Sequence, residues 1–294
     1  MKRNPLLNLS NKVDVGIYST CSANEMVIEA ALEFARDNKS VALIESTANQ
    51  VDQNGGYTGM TPAGFRDYVY TIADKVGLDR EDVILGGDHL GPLTWTHLNE
   101  DEAMENATTL VYDYARAGFT KIHLDTSMRV ADDSRDEALS DETIARRSAM
   151  LAKSVLKGYE DLLEENPKAM FPAFIIGSEV PIPGGAQDDG DTFAVTTPEA
   201  FKTTYSVFEK TFEEHGVSKV FKNVIGIVVQ PGVEYGDDEI DHYDREAAKV
   251  LTSTLKSDFE TLVFEGHSTD YQTPEHLRQL VEDGITILKV GPAL

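Results

Sequence analysis

The feature that most constrains this chain is an alternation. Eight short β-branched runs recur along it: VGIYST near 15–20, VALIES at 41–46, VILGGD at 83–88, KIHLDT at 121–126, AFIIGSE at 173–179, VIGIVVQ at 224–230, LVFEGH at 262–267 and ITILKVG at 285–291. Segments of helical period separate them. The clearest spans 102–117, where Ala103, Ala107, Leu110, Val111 and Tyr114 recur at helical spacing. Three further segments, MTPAGF (Met60 to Phe65), TTPEAF (Thr196 to Phe201) and QTPEHL (Gln272 to Leu277), set a Thr cap before a Pro in the first helical turn. Strands that read as continuous apolar runs are buried on both faces, as in a parallel sheet covered by helices. Eight such strands alternating with seven helices predict an α/β fold of the closed (β/α)8 barrel type, a TIM barrel, with an open doubly wound sheet as the alternative. No eighth helix follows the last strand. The expectation is therefore one barrel domain over 1–294, forming the N-terminal part of a longer protein.

Bulk properties narrow the functional class. An apolar share of 41% over 294 residues is enough for one large core. No run of about 18 apolar residues occurs, so no membrane-spanning helix is expected. A single cysteine, Cys21, excludes an internal disulfide framework, and a cytoplasmic location is the default. With 51 acidic against 26 basic residues, the net charge of −25 repels nucleic acid and anionic lipid.

In a barrel of this kind the site is built at the C-terminal ends of the strands. Polar or ionisable groups sit there on seven of the eight: Glu45 on the second, Asp88-His89 on the third, His123 and Asp125 on the fourth, Glu179 on the fifth, Gln230 on the sixth, Glu265 and His267 on the seventh, and Lys289 on the eighth. Two imidazoles and a carboxylate converging on one point suit a divalent metal with an open position, most plausibly zinc. His89, His267 and Glu179 are the expected ligands, with His123 as a rival lying two residues deeper than Asp125. Such an ion would polarise a carbonyl or an enediolate, as aldol cleavage, aldol addition and keto-sugar epimerisation require. Asp88 beside a ligand is the expected proton carrier, and Glu45 and Asp125 are candidates for a second acid–base role. Lys289 opens a Schiff-base route, or pairs with Glu265 on the neighbouring strand. Ser268, Thr269 and Gly291 are candidate donors to a substrate phosphate, and Gln230 and Lys289 complete the substrate-facing set.

The segments GIYSTCSAN, IESTANQVDQNGGYTGMTP, GGDHLGP, GFTKIHLDTSM, IGSEVPIPGGA, VVQPGVEYG, EGHSTDYQTP and ILKVGPAL closely resemble the D-tagatose-1,6-bisphosphate aldolase non-catalytic subunit family, which also carries the name tagatose 6-phosphate kinase. The resemblance runs in order from about residue 14 to the end, at all eight strand ends. It implies a barrel related to the zinc-dependent class II aldolases, in which a strand-end Asp-His pair, here Asp88-His89, supplies the acid–base group and a zinc ligand. It also implies a sugar or sugar-phosphate substrate and a separate catalytic aldolase subunit as partner. Together they would cleave tagatose 1,6-bisphosphate to glycerone phosphate and glyceraldehyde 3-phosphate, and a homo-oligomer is a further expectation. Relatives described as keto-sugar 4-epimerases use the same retro-aldol logic, so a stand-alone metal-dependent epimerase or aldolase is the alternative. The kinase name finds no GxxxxGK[ST] or other glycine-rich nucleotide loop in the chain.

Overall fold

A computed structural model of the chain describes residues 4–178, 194–236 and 238–291. Its eight long strands are Ile17–Cys21, Ala42–Thr47, Val83–Leu90, Lys121–Leu124, Ala173–Ile176, Val224–Val229, Val263–Gly266 and Ile285–Val290, referred to below as the first to the eighth. All pair in parallel with their sequence neighbours, and the first pairs with the eighth, Ile17 opposite Ile287, so the sheet closes. The fold is a (β/α)8 barrel, and the open-sheet alternative is excluded by that last pairing. Among the described residues, seven helices of nine or more residues connect consecutive strands. No helix among the described residues is long and apolar enough to cross a membrane.

The local signals act as the sequence suggests. Thr61, Thr197 and Thr273 each turn a side-chain oxygen onto the backbone N–H three residues on, at 3.2–3.3 Å, and Pro follows each of them. The helix Glu100–Arg116 buries Ala103, Ala107, Leu110, Val111 and Tyr114 against the sheet. Features outside the strand–helix alternation include a 3-10 turn, Pro5–Asn8, and a two-stranded ribbon, Glu234–Tyr235 with Ile240–Asp241, after the sixth strand.

Strand parity divides the core. Outward residues such as Ile44, Leu85, Ile122, Phe174, Ile227 and Phe264 pack under the helices. The other parity points into the barrel, where Leu43, Ile84, Ala173, Ile175, Val263 and Ile287 fill the N-terminal end and Leu6 from the 3-10 turn closes it. Two residues further along the same strands, the same parity carries Glu45, Glu265 and Lys289. The barrel thus has an apolar floor and a charged upper layer.

Candidate active site

The charged layer is built by period-2 spacing on neighbouring strands. Lys121, His123 and Asp125 lie on one face of the fourth strand and its exit, and Glu265 and His267 on one face of the seventh and its exit. Lys121 Nζ is 2.6 Å from Glu45 Oε1 and 2.8 Å from Glu265 Oε2, all fully buried. Gly86 makes the first of these contacts feasible. It stands in register between Glu45 and Lys121, and a Cβ there would come within 2.6 Å of Glu45 Cγ. Lys289 Nζ reaches Glu45 Oε2 at 2.5 Å and Asp88 Oδ2 at 2.9 Å.

Consecutive residues on a strand face opposite ways, yet Asp88 and His89 both enter the site. The third strand breaks register between Gly87 and Leu90, and His89 adopts a left-handed backbone with φ of 47°. The strand exit then passes so close to the fourth that a Cβ on Gly91 would sit 1.6 Å from the Asp125 carbonyl oxygen. The bulge brings His89 Nδ1 to 2.7 Å from Asp125 Oδ2 and leaves Asp88 Oδ1 2.9 Å from His123 Nδ1. His267 Nε2 meets Glu265 Oε1 at 3.1 Å. The three imidazoles cluster, with His267 edge-on to His89 and His123 at ring-centre distances of 4.9 and 5.5 Å.

Burial opposes every charge here, so the charges persist only because they are paired. Asp88 resists the upward push of burial because His89 and Lys289 hold its carboxyl well below the ordinary range. Asp125 is likewise pushed up by burial but held down by its His89 hydrogen bond, to about 2. Burial lowers His89, but Asp88 and Asp125 outweigh it and raise its pKa. For His267 burial wins over the Glu265 hydrogen bond, and its pKa falls to about 4, leaving a neutral imidazole at pH 7. Both lysines are raised: burial opposes the ammonium, and Asp88 dominates the opposing attraction for Lys289, as Glu265 does for Lys121. A Schiff-base lysine needs a neutral amine, so Lys289 is held in the wrong state for that route.

Asp88, His123, Glu265 and His267 each place one potential ligand atom within 4.8 Å of the other three. His123 Nε2 is buried without a hydrogen-bond partner. Two carboxylates and two imidazoles, one of them held neutral, match the mixed N/O donor set of zinc and similar divalent ions. The ring therefore fits a metal. Of the ligands expected from sequence, His267 is in this group. His89 lies against it but is engaged by Asp125, and Glu179 falls outside the described residues. His123, the rival, is in the group, and so is Glu265, which pairs with Lys121 rather than Lys289. Lys121 is the residue that sequence reasoning missed. Its signal was available, since it shares parity with His123 and Asp125 at the start of KIHLDT.

Above the ring is a pocket of about 410 Å3, lined among others by Cys21, Asn49, Tyr57, Asp88, His267 and Lys289. A larger cleft of about 820 Å3 opens at the N-terminal ends of the strands, remote from every group of the ring. Ser268, Asp270 and Gly291 also line the pocket. Thr269 donates both its backbone N–H and its hydroxyl to the Lys289 carbonyl, at 3.2 and 2.7 Å. Gly291 N–H donates to Asp270 Oδ1 at 3.0 Å. Gln230 Oε1 accepts Gly232 N–H and Val233 N–H at 2.8 and 2.9 Å and so shapes the turn after the sixth strand.

The architecture has counterparts among known proteins. A crystal structure of a probable tagatose 6 phosphate kinase from Sinorhizobium meliloti 1021 is 47% identical over 95% of this chain, with a TM-score of 0.83, and this chain spans 65% of the length of that relative. The fold is shared with a fructose-bisphosphate aldolase from Campylobacter jejuni at 17% identity, TM-score 0.56, covering 95% of this chain and 72% of that one. It is shared too with a protein from Coccidioides immitis put forward as a fructose-1,6-biphosphate aldolase, at 18% identity, TM-score 0.60, covering 98% and 80%. The family model for the D-tagatose-1,6-bisphosphate aldolase subunit GatZ/KbaZ-like proteins matches residues 6–294, and the chain belongs to that family.

Proposed function

We propose that this barrel carries a divalent-metal site for retro-aldol chemistry on a ketose or ketose phosphate. In this reading it acts as a subunit of a class II D-tagatose-1,6-bisphosphate aldolase that forms glycerone phosphate and D-glyceraldehyde 3-phosphate. The observation that carries the reading is the convergence of Asp88, His123, Glu265 and His267 beneath an open pocket. A support protein without chemistry has no need to bury four carboxylates, two ammonium groups and three imidazoles at the open end of a barrel, where each must be paired to be tolerated.

Zinc, when bound, would polarise the ketose carbonyl and stabilise the negative charge that develops on it. Two donor sets share His267: His89 with Glu179, and Asp88, His123 and Glu265. Asp88 lines the pocket and is held ionised by Lys289 and His89, so it can receive a substrate hydroxyl proton and return it. Glu45 is clamped between Lys121 and Lys289, and Asp125 orients the His89 ring. These two act by fixing the groups that touch substrate. A cytoplasmic enzyme with a catalytic aldolase partner, and self-association of the barrel, belong to the same reading. A keto-sugar 4-epimerase would use the same residues, since it breaks and remakes the same bond.

Elemental analysis of the purified chain, with turnover assays on tagatose 1,6-bisphosphate, tagatose 6-phosphate and free fructose, tests the reading. We expect a stoichiometric divalent ion, lost in His267→Ala. His89→Ala and His123→Ala assign the remaining ligands. Asp88→Asn should lower turnover by at least about 100-fold. Absence of an ion, with full support of a partner aldolase by His267→Ala, would leave only an accessory role.

A further inference from the structure

The eighth, first, second and third strands adjoin one another, and they build a second group of donors beside the ring. Cys21 stands in register with Glu45. The Cys21 sulfur, one Glu45 oxygen and one Asp88 oxygen all lie within 4.8 Å of one another. Cys21 Sγ is 3.7 Å from Asp88 Oδ2. A sulfur and an oxygen on one tetrahedral zinc stand about 3.6 Å apart at ordinary bond lengths. The spacing is that of a metal seat, and Asp88 belongs to both donor groups. This seat already holds a cation. Lys289 Nζ lies 2.5 Å from Glu45 Oε2 and 2.9 Å from Asp88 Oδ2, the same Asp88 oxygen that faces Cys21.

We infer that Lys289 is the resident cation of a second seat made by Cys21, Glu45 and Asp88, and that it holds the active centre to a single metal ion. The second half of this inference rests on the proposed metal in the ring. The charges require a cation at this point. Glu45, Asp88 and Glu265 are buried carboxylates, and Lys289 and Lys121 are the ammonium groups that meet them. Without Lys289 the three would be left with Lys121 alone, and a buried carboxylate without a partner is strongly unfavourable. A thiol beside two such carboxylates is a mixed S/O donor set that thiophilic divalent ions take readily. Lys289 is tethered to its strand, so an ion in solution competes with a cation that cannot diffuse away. The choice of an ammonium matters for the chemistry. Its hydrogen bond leaves Asp88 able to accept a proton, whereas an ion in this seat would coordinate Asp88 and bridge it to the ring as a ligand. Lys289 is thus a positioning residue that acts through Asp88.

The test is a titration of the chelator-stripped full chain with Co2+, read by elemental analysis and by near-ultraviolet absorption, where a thiolate bound to cobalt gives a charge-transfer band. Wild type should take a single ion per chain and show no such band. Lys289→Ala opens the seat, so it should take a second ion, show the band, and melt at a temperature that rises with added Co2+ more than wild type does. Adding Cys21→Ser to Lys289→Ala should remove the band. Where Lys289→Ala does not fold, Lys289→Gln, which keeps a polar head and drops the charge, is read in the same way. A second ion or the band in wild type would show that the ammonium does not hold the seat, and a folded Lys289→Ala that stays at one ion without the band would show that there is no seat; either overturns this inference and leaves the proposed ring metal standing. A wild type that takes no ion, beside a Lys289→Ala that takes one with the band, would overturn the ring and support the seat. No ion in either protein would overturn both.

Discussion

Replacing Asp125 with Asn isolates the contact that sets the state of His89. Asp125 Oδ2 lies 2.7 Å from His89 Nδ1, while Oδ1 accepts the Ser127 N–H and hydroxyl at 3.0 and 2.7 Å. Asn retains an acceptor for Ser127 but turns an NH2 toward the imidazole and removes the charge. A buried carboxyl at about 2 rather than its ordinary 3.8 corresponds to about 2 kcal/mol of coupling, at about 1.4 kcal/mol per pH unit. The two halves of the pair have opposite signs with pH. The depressed Asp125 contributes fully above its ordinary value and loses its share as pH falls through about 2. The raised His89 contributes fully below its ordinary 6.5 and loses its share as pH rises through its folded value. The stability gap between wild type and Asp125→Asn should therefore peak between about pH 4 and 6.5, at about 2 kcal/mol, and shrink on both sides. Urea denaturation with a chelator present, at pH 3, 5.5 and 8, measures the gap, and an NMR titration of the ring reports a fall in the His89 pKa. A gap that is flat with pH, or an unmoved His89, would refute the argument.

Lys121→Met leaves Glu45 and Glu265 buried without their shared cation. It should lower stability by about 3–5 kcal/mol, with part of the loss recovered in the double variant with Glu265→Gln; thermal denaturation distinguishes this from a neutral swap, which would show no such recovery. Gly91→Ala should abolish the His89–Asp125 contact and cut the yield of folded protein, because the added methyl meets a backbone carbonyl that can move only with the fourth strand; a normal melting curve would contradict it. His267 in the metal-free chain should titrate near 4 by NMR. Since its folded pKa is lowered, it weakens the fold as pH drops from its ordinary 6.5 toward that value, and a midpoint above 6 would show that it is not desolvated as described.

The strand ends, the Thr-Pro helix starts and the parity of Glu45, Glu265 and Lys289 were all legible in the residues, because each depends on spacing within one segment. Period-2 spacing in a strand and period-3.6 spacing in a helix are local properties of the backbone, and eight repeats of one local pattern leave few ways to close a sheet. Which charges meet was a different matter. The pairing of Lys289 with Glu45 and Asp88, the capture of Glu265 by Lys121, and the arrival of His123 rather than His89 beside Glu265 depend on register between strands, and on Gly86 leaving space where any other residue would place a side chain. The position of His89 was decided in the same way. Strand parity would turn it away from the site, and only the bulge forced by the close approach of Gly91 to Asp125 turns it back. Spacing along the chain decides which face a side chain occupies, but the partner of a buried charge is decided by distances of a few ångströms across the barrel, where the cost of an unpaired ion selects one arrangement among several that the sequence allows.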